Sequence, residues 1–401
     1  MGKNLLFVIN TMGQAGAETA LLELLHRLED DYQIDLYVLM GQGELVDRLP
    51  EKINLLNKRF SPCSVLSGEG RIHMAGTVCR ALLKRGNILR LFPYLCGNLW
   101  EMLLHYRVQV DKLMWRVLSD GGLCIRKEYD LAVAFLEGGA AYYVADHVKA
   151  KKKAAFIHID YGQAGYTRRL DRDCYLKYDM LFPIAEETRD RFLQVYPECE
   201  SRTRIFHNQL NRESILEKAS MPGGFSNDYS GKRILTVGRL TAQKAYPVAI
   251  EAMRLLKEAG CDARWYVLGE GDERRALERL IAEKGLEKDF VLLGAVENPF
   301  PYYRQADLSV HATRYEGKSI AIQEAQILGC AIIASDCTGN REQLQHNEDG
   351  LLCPLEAEAI KSAVLELLSN EEKRRKLGQA AARRKVTYEE DIRLLTDLLE
   401  D

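Results

Sequence analysis

No stretch of this 401-residue chain is apolar for long enough to span a bilayer. Its first apolar run, Leu5-Leu6-Phe7-Val8-Ile9, is too short for the core of a signal peptide and reads as a first strand. No Cys-x-x-Cys pair occurs among ten scattered cysteines. That pattern fits buried thiols in a reducing cytoplasm better than disulfides or zinc. Neither sign of charge is in large excess: 55 Lys and Arg face 58 Asp and Glu, a net of −3, so the chain as a whole gives no nucleic-acid signal. There is no repeat and no low-complexity tract. There is no Asp-x-Asp cluster at a strand end and no His-rich spacing, so no essential metal is expected. The full G-x-G-x-x-G spacing is missing too, which argues against a nicotinamide dinucleotide site.

What is present points to two domains. The length is large for one core, and hydrophobic (47%) and charged (28%) contents are ordinary for a globular protein. Short apolar runs alternate with helical patterns in both halves, which implies parallel βαβ units. In the first half strands are expected near 4–10, 33–40, 130–136, 153–159 and 179–184, with a further short strand at Arg204-Ile205-Phe206 and a first helix over 17–28. In the second they are expected near 233–237, 263–268, 290–293, 307–311 and 331–335. The expected limits are a first domain over 1–206, a linker over 207–232 and a second domain over 233–386. The linker holds the aperiodic Met221-Pro222-Gly223-Gly224, and residues 387–401 read as a separate amphipathic helix.

Between Arg71 and Lys127 the pattern is helical and basic. Ten Lys and Arg stand against Glu101, Asp111 and Asp120, so the local net is 10 − 3 = +7. Leu89, Leu91, Phe92, Tyr94, Leu95, Leu99, Trp100, Met102, Leu103, Leu104, Met114 and Trp115 lie among those charges. The stretch either forms an interfacial surface for anionic lipid or packs on the sheet with ordinary solvated charges.

Several residues fall where doubly wound sheets keep their ligands, at strand C-terminal ends. Gly238-Arg239 closes the first strand of the second half, and Lys244 follows ahead of a helix. Arg can grip two phosphate oxygens while Lys acts as a point charge, so the two suit a diphosphate, though both could be solvated surface. Glu316 and Glu324 stand eight positions apart around Gly317-Lys318-Ser319-Ile320. Glu316 sits ahead of a helix start, beside free N–H donors. Glu324 lies within an apolar helix and needs a hydrogen-bond partner there. The pair suits a ligand with hydroxyls and phosphates, and equally a surface glutamate followed by a salt-bridged one. Gly16, in Gly13-Gln14-Ala15-Gly16-Ala17-Glu18, opens the first helix and would let a phosphate or sugar approach the backbone. His158 ends a strand ahead of Asp160-Tyr161-Gly162, where it could bond a hydroxyl, assist proton transfer or be structural. Asn208 could be a turn residue or a ligand contact, and Gly269, in Gly269-Glu270-Gly271, a tight strand-to-helix turn near a nucleotide.

Taken in order, Gly238-Arg239 with Lys244, Glu316-Gly317 with Glu324-Ala325, and Asp336 to Asn340 leading to Glu342 and Gly350-Leu351-Leu352 resemble retaining glycosyltransferases of family 4. The two glutamates match that family's E-x7-E motif, and Gly16-Ala17-Glu18 and His158 resemble its N-terminal glycine loop and active-site histidine. The resemblance covers the C-terminal 170 or so residues in order, only those points of the N-terminal half, and none of 71–127. It implies an α/β GT-B fold: two Rossmann-like doubly wound domains facing a cleft, with the last helix crossing back to the first domain. By the resemblance, Arg239 and Lys244 hold the donor diphosphate, Glu316 the sugar hydroxyls, Glu324 the ribose hydroxyls, and His158 the sugar near the reacting centre. Gly16, Asn208, Gly238, Gly269, Gly317, Lys318, Ser319 and Ile320 complete the donor contacts. Retention would come from front-face attack, with the leaving diphosphate drawing the acceptor proton. Lys318-Ser319 departs from the apolar residue and proline of many members, which leaves the sugar open.

The resulting expectation is a cytoplasmic, metal-independent hexosyltransferase with no cofactor beyond its nucleotide-sugar donor, UDP being the expected carrier. Its partners would be a glycan or lipid-linked acceptor of cell-surface polysaccharide synthesis and, through 71–127, an anionic membrane surface at which the protein is peripheral. No nucleic acid is expected. The alternatives are a non-catalytic glycosyltransferase-like binding protein and a GT-B nucleotide-sugar epimerase.

Overall fold

Twelve parallel strands in two sheets carry the chain in this computed structural model, which describes residues 2–64, 67–84, 87–105, 110–159, 161, 164 and 166–400. The first sheet contains β1 (Asn4–Ile9), β2 (Gln33–Val38), β3 (Asn54–Leu55), β4 (Glu128–Ala134), β5 (Lys149–Ile157) and β6 (Met180–Pro183), in the order β3-β2-β1-β4-β5-β6. The second contains β7 (Lys232–Val237), β8 (Ala263–Leu268), β9 (Phe290–Gly294), β10 (Leu308–His311), β11 (Ile332–Ser335) and β12 (Leu351–Cys353), in the order β12-β11-β10-β7-β8-β9. Numbered from its own first strand, each sheet runs 3-2-1-4-5-6, the doubly wound order. The reversal falls between β1 and β4 in one sheet and between β7 and β10 in the other.

The strands are apolar on both faces because helices cover both faces of such sheets. Leu5 to Ile9 are all buried. The helix Gly16–Leu28 supplies Leu21, Leu24, Leu25 and Leu28 to that core, at the i, i+3, i+4 and i+7 spacing of one helix face. In the second sheet Trp265 is buried on β8, its indole donating to Thr236 Oγ1 at 2.9 Å.

The chain divides into two compact units, Met1–Gln209 with Tyr388–Asp401, and Leu210–Thr387. Three sequence expectations change here. Residues 207–232 contain the helix Arg212–Ser220, capped by Asn211 and packed through Ile215 against Ile327 and Val386 of the second unit. Arg204–Phe206 is not a strand: Arg204 and Phe206 donate to Leu181 and Pro183, without a continuing ladder. The segment after 387 is a short helix, Asp391–Thr396, followed by a 3-10 turn. It belongs to the first unit, where the His207 amide and Nδ1 both lie 2.7 Å from Asp391 Oδ2 and the Tyr388 ring stacks on His207 at 3.7 Å. The short edge strands β3 and β12 were not expected.

The basic stretch forms helices Gly68–Leu83, Asn87–His105 and Val110–Asp120. Its residues Arg85, Gly86 and Tyr106 to Gln109 lie outside the described residues. The structure sorts the apolar side chains named above. Leu91 is buried, and Tyr94, Leu95, Met114 and Trp115 pack on the first unit's core, whereas Leu89, Phe92, Leu99, Trp100 and Leu103 are exposed. Arg116 is fully buried: it bonds Asp146 at 2.5 Å and the Asp171 carbonyl at 2.9 Å, and stacks over Tyr142 at 4.0 Å. Lys127 pairs with Asp35 at 2.9 Å.

Among the described residues no helix is long and apolar enough to cross a membrane. All ten cysteines are thiols outside any disulfide. Only Cys174, Cys199 and Cys353 are buried, so the expectation of generally buried thiols does not hold.

Candidate active site

At the end of β7 the chain turns through Gly238 and Arg239 into the 3-10 turn Ala242–Lys244 and then the helix Tyr246–Glu258. Tyr246 Oη donates to the Gly238 carbonyl at 2.8 Å. Gly269, at the end of β8 with φ +148°, presses on the same carbonyl, and a β-carbon there would lie 2.1 Å from that oxygen. Only glycine can back the turn so closely. The side chain of Arg239 is exposed and makes no hydrogen bond or ion pair among the described residues.

The loop after β10 is stitched to this turn. Arg314 N donates to the Gln243 carbonyl at 2.9 Å, and Gln243 Nε2 to the Tyr315 carbonyl at 2.9 Å. Thr313 N bonds Ser335 Oγ at the end of β11, also at 2.9 Å. These contacts bring Lys244 and Glu316 together as an ion pair in which both side chains are only 14% exposed. His311 at the end of β10 completes the cluster. Its Nε2 lies 3.1 Å from Glu316 Oε2 and 3.3 Å from Lys244 Nζ. Burial alone would raise the Glu316 carboxyl, but the Lys244 charge and His311 outweigh it and hold the carboxyl at about 2. Burial, with the Lys244 ammonium next, pushes His311 down. At neutral pH Glu316 is therefore a carboxylate and His311 a neutral imidazole.

Beyond Glu316 the turn Gly317-Lys318-Ser319 enters the helix Ile320–Ile327, with Ser319 as its N-cap. Lys318 is half-buried, and Ile320 begins the helix. Glu324 is buried on this helix, 3.2 Å from Tyr303 Oη. Burial raises its carboxyl to about 7, although the Tyr303 hydrogen bond opposes the shift. The turn rests on Gly339, where a β-carbon would meet the Glu316 and Gly317 carbonyls at 2.1 and 2.2 Å. Gly238, Arg239, Lys244, Gly269, Gly317, Lys318, Ser319, Ile320 and Glu324 thus all lie in the second unit, at the carboxyl ends of its strands or on the helix after β10.

Gly16, His158 and Asn208 belong to the first unit. Gly16 begins its helix without a side-chain cap, and Asn208 is buried. His158 follows β5, and its amide donates to Glu137 Oε2 at 3.0 Å. Its ring packs by Phe135 and Phe156 and has a hydrogen bond to the Phe135 backbone, while Nε2 is buried without a partner among the described residues. Burial lowers this imidazole to about 4. Asp160 and Gly162, read with it in the sequence, lie outside the described residues.

His311, Gly339 and Glu137 were not picked out in the sequence. For Glu137 a signal existed, a carboxylate followed by Gly138-Gly139 at a strand end. His311 also ends a strand, five residues before Glu316. Among the described residues no three His, Cys, Asp or Glu side chains converge to hold a metal.

Two six-stranded sheets of this order are those of GT-B glycosyltransferase structures, and the fold is of that class. The HepE protein of Anabaena, in complex with UDP and glucose, matches with a TM-score of 0.70 at 15% identity over 100% of both chains. The sucrose-phosphate synthase of Thermosynechococcus elongatus gives 0.67 at 15% identity, over 99% of this chain and 98% of that one. In sequence, residues 225–384 match the model of the glycosyl transferases group 1. The Campylobacter jejuni N-acetylgalactosamine-N,N'-diacetylbacillosaminyl-diphospho-undecaprenol 4-alpha-N-acetylgalactosaminyltransferase is 27% identical over 226 residues, 56% of this chain and 60% of that protein. The amylovoran biosynthesis glycosyltransferase AmsK of Erwinia amylovora is 34% identical over 148 residues, 35% of this chain and 36% of that protein. The chain thus spans three-fifths or less of the length of these two curated relatives.

Proposed function

We propose that this protein is a retaining, metal-independent glycosyltransferase that moves a hexosyl group from a UDP-sugar to a hydroxyl of a glycan or lipid-linked acceptor in cell-surface polysaccharide assembly. The observation that carries the reading is the Lys244–Glu316–His311 cluster beside unpaired Arg239, at the reversal point of the second sheet. Ligands of doubly wound sheets bind there. Arg239 takes the diphosphate as a two-pronged donor. Glu316, kept ionised by Lys244, accepts from sugar hydroxyls, and Lys244 shares its charge between that carboxylate and the incoming diphosphate. Glu324 accepts from the ribose. The anomeric carbon–oxygen bond to the diphosphate breaks, and the acceptor oxygen bonds to the same face. The acceptor proton passes to the leaving diphosphate, so no protein nucleophile is needed. Of the first unit's residues, His158 is proposed to touch the sugar as a neutral hydrogen-bonding group. The UDP in the Anabaena structure and the undecaprenol diphosphate in the Campylobacter relative's name support the donor and acceptor classes. The acceptor side is assigned to the first unit, and the protein is placed at the cytoplasmic face of a membrane.

The test is nucleotide release from a panel of nucleotide sugars, with and without a polyprenyl-diphosphate glycan and in excess EDTA. UDP release that survives EDTA and an α-linked product from an α-linked donor are expected. Binding without release by any donor would leave a non-catalytic protein, an isomerised nucleotide sugar would indicate an epimerase, and a strict divalent requirement would overturn metal independence.

A further inference from the structure

The helix Asn87–His105 exposes a continuous apolar stripe. Leu89, Phe92, Cys96, Leu99 and Leu103 follow one another at intervals of three, four, three and four residues, the spacing of one helix face. Leu89 is 82% exposed, Phe92 64% and Leu103 61%; Trp100, beside them, is 65% exposed. The opposite face is satisfied: Leu91 is buried in the core, and Tyr94 Oη donates to the Leu170 carbonyl at 2.6 Å. The stripe is therefore not displaced core. At 19 residues and without the hydropathy of a spanning segment, the helix can lie on a bilayer but not cross it.

Charge chooses its occupant. In sequence the neighbourhood is basic, since residues 71–105 contain five Lys and Arg against one acid, Glu101. Two further arginines flank the helix. The Arg172 guanidinium stacks on Tyr94 at 4.2 Å, and Arg169 lies so close over Gly97 that a β-carbon there would come within 2.5 Å of its Nη2. A second copy laid on the stripe would set cations against cations. An anionic lipid surface offers apolar depth to the stripe and the opposite charge to its borders. We propose that this helix is the protein's docking face for an anionic membrane surface. The assignment narrows the basic stretch to one helix and excludes the buried Arg116 and the paired Lys127 from it. It deepens the lipid-linked acceptor of the proposed function by placing the protein where such acceptors lie.

The experiment is co-sedimentation of the full chain with vesicles of phosphatidylcholine, with and without phosphatidylglycerol, in the absence of any donor. Binding is expected on the anionic vesicles only, and it should fall as NaCl is raised. Arg169→Ala should weaken it about fivefold, the loss of one cation near a charged surface. Phe92→Ser with Trp100→Ser should abolish it. Trp100 is the exposed one of the three tryptophans, so vesicle addition should shift the emission to the blue in wild type and not in Trp100→Phe. Equal binding to neutral vesicles, no binding, or a dimer in solution that the Phe92/Trp100 variant splits would each overturn the assignment. Nucleotide release is read without vesicles, so failure here leaves the catalytic reading standing, and the reverse.

Discussion

Gly339 lies beneath Glu316 with no room for a side chain, since a β-carbon there would meet the Glu316 carbonyl oxygen at 2.1 Å. The contact is to backbone, which cannot swing aside as a flexible side chain would. Gly339→Ala must displace the turn that carries Glu316, at an overpacking cost of about 1–3 kcal/mol. A lower melting temperature and a fall in turnover with little change in nucleotide affinity are expected. Wild-type melting and kinetics would show that the turn is not held from below.

Arg239 is the opposite case, an exposed cation whose side chain has no hydrogen bond or ion pair to lose among the described residues. Arg239→Ala should leave the melting temperature unchanged while weakening UDP binding by about 1.5–3 kcal/mol, the worth of a charge-assisted hydrogen bond. Calorimetric titration with UDP checks this. Unchanged affinity would remove Arg239 from the diphosphate site.

Lys244, with His311 beside it, keeps Glu316 ionised against its burial. In Lys244→Met the Lys244 part of that opposition is lost and only His311 remains, so desolvation raises the carboxyl. Wild-type turnover should be insensitive to Glu316 protonation from pH 5 upward. The variant's turnover should fall as pH drops through the neutral range, with partial recovery at high pH. A variant whose loss of rate is the same at every pH would mean that Lys244 acts only through the donor.

Glu324 has a carboxyl raised to about 7 by burial, against an ordinary value of about 4.3. Between those values the unfolded chain gives up the proton and the folded one keeps it. Folding stability contributed by this group therefore falls as pH rises through that window and is level above it. Glu324→Gln lacks the titration, so its melting temperature relative to wild type should rise from pH 5 to pH 8 in the absence of nucleotide. Parallel melting curves over that range would contradict a raised carboxyl.

The sequence carried the second unit further than the first. β7 to β11 announce themselves as apolar runs separated by helical periods, and Arg239, Lys244 and Glu316 could be placed at strand ends by counting. Their relation could not. Lys244 and Glu316 are 72 positions apart, and the ion pair depends on Gln243, Thr313 and Arg314 stitching two loops through backbone groups that any residue possesses. The pairing changes the expected clamp: Lys244 is already engaged, and Arg239 alone is free for a ligand among the pair. β3 and β12, of two and three residues, are too short to leave a period. In the basic stretch the helices set packed and exposed apolar side chains on different faces, which composition cannot show because it counts side chains while a helix separates them. His311 and Gly339 were missed for the same reason as the ion pair, since their importance lies in contacts across the sheet.

The return of Tyr388–Asp401 to the first unit bears on the order in which the protein is made. In sequence the second unit is an insertion, with both of its ends joined to the first. On the ribosome, residues 210–387 emerge as a complete folding unit before the segment bearing Asp391, Leu395, Leu398 and Leu399 is available to the first unit. Until then the amide of His207 lacks its carboxylate partner, and the apolar surface those leucines cover is open to water. Domains usually fold in order from the N-terminus during synthesis. Here the half that is translated first is the half that is finished second.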